Sequence, residues 1–174
     1  MTASPARAPL SPVAEAASWV VLITELPRED VTARMAALRA LETLGAVALR
    51  DGVFFLPDSH SGRESLATLG DQIRRASGAA HLFAARTLDT AETVELVALF
   101  DRTARYAELV KTIESLRAGF GVSDPSAIAA VLAKQRRDLE ALKSIDFFPS
   151  ALRNETERVL VRAEKMVRKL LETD

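Results

Sequence analysis

A chain of 174 residues with 48% hydrophobic content can bury a core without staples, which excludes wholesale disorder. A formal net charge of −1 excludes a global basic field and an acidic tail, and the lack of cysteine excludes disulfides, thiolate catalysis and cysteine metal sites. No apolar run approaches the roughly 20 residues of a membrane helix, and a cysteine-free chain fits a reducing, cytoplasmic setting.

The first 18 residues are rich in Ala, Pro and Ser and have no long apolar stretch, so they read as a disordered leader and not a signal peptide. Residues 19–25 (WVVLITE) form an apolar run stopped at Leu26-Pro27, the pattern of a buried strand. Asp30 is placed to cap a helix over 31–44, and Gly45 to end it. Residues 46–50 and 53–57 flank Asp51-Gly52, the strongest hairpin signal in the chain. Ser61 to Glu64 has the spacing of a capping box, opening a helix through about Ala76 that Gly78 ends. Residues 80–86 read as a fourth strand.

The order β-α-β-β-α-β predicts an α+β fold with a ferredoxin-like antiparallel sheet, both helices on one face. Right-handed crossovers put strands one and three at its centre. From residue 89 the apolar period becomes helical. Val94, Val97, Phe100, Ala104, Ala107, Val110 and Ile113 share one stripe, which Gly119 and Gly121 break. Asp124-Pro125 opens a second helix, Phe147-Phe148-Pro149 interrupts it, and a third runs to the end. The expected organisation is a leader (1–18), a ferredoxin-like domain (19–88) and a C-terminal three-helix extension (89–174) packed on it.

Arg34 falls on the stripe of Val31, Leu38 and Leu41, which is expected to face the sheet. A buried arginine needs acceptors. It either ties the helix to Glu25, Glu29 or loop carbonyls, or receives an anion, together with Arg39 on the helix flank and Arg50 at the hairpin. Arginine forks suit oxyanions and phosphates. The chain has only two histidines, and His60 with Asp58 is too small a set for a metal, so no metal or other cofactor is expected. Glu25 alone is a poor basis for two-metal nuclease chemistry. The charged runs Lys134 to Arg137 and Arg162 to Lys169 carry interspersed acids and read as solvated helix faces.

The chain resembles the N-terminal domain of the chromate resistance protein family ChrB. The matching residues are Trp19 to Thr24, Leu26-Pro27, Arg34, Leu38-Arg39, Leu41, Leu44 to Ala46, Leu49 to Val53 (with Asp51 and Gly52) and Leu56-Pro57. Ile145-Asp146-Phe147-Phe148-Pro149 forms a second match, between the last two helices. The family usually carries tryptophan before the arginine matched by Arg39; Leu38 stands there in this chain. Full-length members have a second domain after this one, so this is either a stand-alone relative or an excised domain. The sheet-bearing half also resembles the small subunits of CRISPR adaptation nucleases and a domain of phenylacetate-type repressors.

The resemblance implies a role in chromate resistance, with oxyanion sensing and transcriptional regulation by a homodimer. A non-enzymatic role is favoured, and enzyme activity stays open. The alternatives are a structural interaction module and, ranked last, a metal-dependent nuclease. Chromate or another oxyanion is the expected ligand. DNA has no support from net charge, and no membrane partner is expected.

Overall fold

The computed structural model describes residues 18–118 and 124–172. The leader up to residue 17 and the expected break at Gly119 and Gly121 lie outside the described residues. The chain divides into two compact units that meet between Leu99 and Phe100.

The first unit is α+β, with a four-stranded antiparallel sheet. Its strands are β1 (Ser18–Glu25), β2 (Val47–Arg50), β3 (Val53–Pro57) and β4 (Ala79–Arg86), in the order β2-β3-β1-β4. β1 and β3 are therefore the central pair. That position suits β1, whose Trp19, Val20 and Leu22 are buried. Helix α1 (Val31–Thr43) connects β1 to β2, and α2 (His60–Arg75) connects β3 to β4. α2 packs on β1 and β4, and α1 packs against α2. Leu22, Leu66, Leu69, Ile73 and Ala80 are buried core residues of this unit.

Local chemistry sets the helix ends. The Asp30 carboxylate caps α1 by accepting from the Ala33 amide at 2.8 Å. The cap of α2 is Ser59, whose hydroxyl accepts from the Gly62 amide at 3.0 Å, and not the expected Ser61. Starting the helix at His60 places Leu66, Leu69 and Ile73 on the buried face. Its exit also departs from expectation. Ser77, at φ 65°, takes the left-handed position, and Gly78 serves close packing instead. A Cβ on Gly78 would lie 2.6 Å from the Glu25 carbonyl oxygen and from Ile73 Cγ2. Arg74 locks this exit by donating to the Ala80 carbonyl at 2.6 Å.

The buried face of α1 is also rotated from the expected stripe. Ala37 and Leu41 are buried, whereas Val31 is 55% and Leu38 36% exposed. The small Ala33, Ala36 and Ala37 face Leu69, Gln72 and Ile73 across the α1–α2 contact. Alanines permit that close approach, and it takes the place of the bulkier stripe.

Helix α3 (Thr90–Ala98) completes the first unit, capped by Asp89 accepting from the Glu92 amide at 2.7 Å. The expected long stripe from Val94 to Ile113 is interrupted after it. Residues 99–102 leave the helix, Phe100 is fully buried, and the Asp101 carboxylate accepts from the Thr103 amide at 2.8 Å to start a new helix. The Thr103 hydroxyl and amide also hold the Asp101 carboxyl below its ordinary range.

The second unit contains α4 (Thr103–Ala118), α5 (Pro125–Ser144) and α6 (Ala151–Leu171), each packed on the other two. Tyr106, Ile113, Ile128, Leu132, Leu139, Leu142, Leu160, Ala163 and Val167 form its core. Spacings of three, four and seven residues along each helix place these side chains inward. Val131 and Met166 are 38% and 43% exposed.

Candidate functional site

The hairpin between β2 and β3 meets the end of β1. Gly52 sits at φ +75°, and its carbonyl accepts from the Thr24 amide at 2.7 Å. A Cβ there would lie 2.5 Å from the Thr24 carbonyl oxygen, so only glycine lets the turn approach this closely. A β-bulge between Ala48 and Arg50 leaves Leu49 as the extra residue, 55% exposed, and directs the chain into the turn.

This approach creates a groove of about 640 Å³ lined by Thr24, Glu25, Leu26, Arg28, Leu38, Ala48, Arg50, Asp51, Gly52 and Phe54. Leu26, Leu38, Ala48 and Phe54 give it an apolar lining. Two arginines line it from separate elements, Arg28 from the β1–α1 loop and Arg50 from the hairpin. Arg28 lies 2.7 Å from the Glu25 carboxylate, and both side chains are largely exposed. Such an exposed pair is worth little by itself.

The sequence-derived candidates separate here. Arg50, Asp51 and Gly52 line the groove. Arg34 is half-buried on α1 and donates to the Arg28 carbonyl at 3.5 Å, next to the groove but not lining it. Arg39 is exposed on α1 and is not part of the lining. Arg28 was not anticipated. Its sequence signal was a cation directly after the strand-ending Leu26-Pro27 and before the helix cap Asp30.

Glu25 is bound to Arg28, and His60 is exposed beside Glu64 at 3.4 Å. Among the described residues no three histidine, aspartate or glutamate side chains come together as a metal site. Nor is any helix among them long and apolar enough to cross a membrane.

The Ile145 to Pro149 segment belongs to the second unit, where it joins α5 to α6. Asp146 is buried and accepts a 2.7 Å hydrogen bond from the Tyr106 hydroxyl, with Arg153 at 3.7 Å. The rings of Phe147 and Phe148 each meet Phe100 edge-on at 5.8 Å between centroids, and Pro149 is exposed. Arg102 is half-buried with its guanidinium 6.0 Å from the Phe100 ring, and burial pulls its pKa down. These are packing roles at the connection between α5 and α6.

Comparison with known proteins gives a coherent result. The family model described as "Protein ChrB, N-terminal" matches residues 34–120. Protein ChrB of Cupriavidus metallidurans is 34% identical over 133 residues, covering 76% of this chain and 41% of that relative. The chain therefore spans about two-fifths of the length of the curated relative it matches. No solved structure matches it.

Proposed function

The chain belongs to the ChrB family, and on that premise we propose that it is a cytoplasmic, non-enzymatic regulatory protein of chromate or oxyanion stress. Its sheet-bearing unit receives the oxyanion in the groove between Arg28 and Arg50. The observation that carries this reading is that two arginines, one from a loop and one from a hairpin, line one groove. A tetrahedral dianion needs several charge-assisted donors, and arginine forks supply them in pairs. Arg34 supports the loop that carries Arg28. We read the sheet as ferredoxin-like, with the order β2-β3-β1-β4 in support.

Titration calorimetry with chromate and with sulfate tests the groove. Binding heat from chromate that is lost in Arg28→Gln and Arg50→Gln supports it. No heat from either anion, or undiminished heat in both variants, removes the sensing role.

A second feature supports self-association. Phe83 and Ile23 are 52% and 44% exposed. Strand alternation puts them on the sheet face away from Ala80 and Leu82, the residues beside Gly70 of α2. A homodimer formed through the sheet region would cover such residues. Light scattering that returns a strict monomer at high concentration ends this part of the reading.

A further inference from the structure

We propose that the solvent face of α6 is a contact surface for the phosphate backbone of nucleic acid. In sequence, the basic residues of α6 alternate with acids and look self-neutralising. The fold separates the two signs. Glu164 turns to α5 and takes the Arg136 guanidinium through two hydrogen bonds, at 3.1 and 2.6 Å. Glu157 also faces α5, 4.0 Å from Arg136 and 3.5 Å from Lys143. Both acids are thus committed to cations of the neighbouring helix.

Arg158, Arg162 and Lys165 are left exposed on the outside of α6. Spacings of four and three residues place them within an arc of about 60° at 3.6 residues per turn. That arc lies opposite the buried Leu160, Ala163 and Val167. None of the three is in an ion pair with another described residue; the Arg158 Nε donates only to the Asn154 carbonyl of its own helix, at 3.3 Å. Glu155 is exposed one turn before the row, and Glu172 follows its end.

Like charges four residues apart disfavour a helix, so this row is not explained by helix stability. From Arg158 to Lys165 it runs about 10 Å along the helix axis. Duplex DNA presents about one charge per 1.7 Å of its length, so a straight row of this length meets several phosphates at once. Guanidinium forks match phosphate oxygens. A bilayer surface is the poorer partner, because the apolar face of α6 is already spent in the bundle core and cannot enter lipid. The net charge of −1 does not oppose this, since the effect is local. The surface lies in the second unit and does not rest on the oxyanion groove, so either can fail alone.

Fluorescence anisotropy with labelled random-sequence duplex DNA, single-stranded DNA and single-stranded RNA at low salt tests the proposal on the whole chain. Binding to at least one of these is expected, with log K falling against log salt with a slope of about −2 to −3 for three contacts. The triple variant Arg158→Gln, Arg162→Gln, Lys165→Gln is expected to bind at least tenfold more weakly and to keep the wild-type circular dichroism. A control variant with the same loss of charge, Arg75→Gln, Arg86→Gln, Arg105→Gln, is expected to bind within about twofold of wild type. No binding at low salt, equal losses in the two variants, or a salt-insensitive wild type overturns the assignment. Binding to phosphatidylserine vesicles with none to nucleic acid overturns it as well. The wild-type salt slope needs no variant and decides the matter if the triple variant does not fold.

Discussion

The hydroxyl of Tyr106, on α4, donates a 2.7 Å hydrogen bond to the carboxylate of Asp146, forty residues away at the end of α5, and both residues are buried. The bond gives a buried carboxylate its donor at the point where the chain turns between two helices. Without it the carboxylate loses its hydrogen bond from the phenol, with Arg153 at 3.7 Å. Tyr106→Phe is therefore expected to destabilise the protein by about 1–3 kcal/mol, the cost of a buried acceptor that loses its partner. Urea denaturation followed by circular dichroism measures this. A change within error of zero contradicts the role given to the pair.

The same tyrosine gives a pH signature. Burial first, and then the hydrogen bond to Asp146, push its phenol far above the ordinary value of about 10. A pKa raised in the folded state means stability that is fully present below the unfolded value and lost as pH rises through the folded one. Tyr106 is the sole tyrosine, so phenolate absorbance reads it alone. It is expected to stay neutral past pH 10 and to ionise only together with unfolding. Free titration near pH 10 in a still-folded chain rules this out.

Gly52→Ala is expected to cost about 1–3 kcal/mol, from a left-handed turn position and a Cβ in collision with the Thr24 carbonyl. The thermal midpoint of the variant measures it. Because the turn forms one wall of the groove, chromate binding is expected to weaken along with stability.

Asp58 and Arg63 form a bidentate pair at the start of α2. The hydrogen bonds from Arg63 hold the Asp58 carboxyl below its ordinary range, against a smaller opposing effect of desolvation. A depressed carboxyl contributes stability above its unfolded pKa, about 3.9, and loses it as pH falls through the lower folded value. Wild type is expected to be more stable than Asp58→Asn at neutral pH, with the difference vanishing in acid. A gap that is constant with pH would assign the effect to packing and not charge.

The groove reading makes a finer prediction about residue type. Arg50→Lys keeps the charge but loses the fork, and is expected to weaken chromate binding about tenfold or more, since a hydrogen bond to a charged group is worth about 1.5–3 kcal/mol. Arg39→Gln, outside the lining, is expected to bind as wild type does. Calorimetry on the two variants compares them; equal effects in both contradict the placement.

Much of the architecture was legible along the chain because its signals are local. Asp30 and Asp89 declare helix starts, Asp51-Gly52 declares the hairpin, and alternation and helical period separate strands from helices. β1, which carries the most apolar run, takes a central place in the sheet. Tertiary contacts decided the rest. The rotation of α1 follows from alanines that can approach α2 more closely than Val31 or Leu38 could, and this moved Arg34 from an expected buried stripe to the edge of a groove. Arg28 entered the candidate site because the hairpin folds back on β1, a contact with no signature in local spacing. The break at Phe100 interrupts an unbroken apolar period because that ring meets Phe147 and Phe148, more than forty residues on. Periodicity is set by neighbours within a turn or two of helix. Which side chain meets which partner, and which charges are left facing water, depends on surfaces brought together from distant parts of the chain.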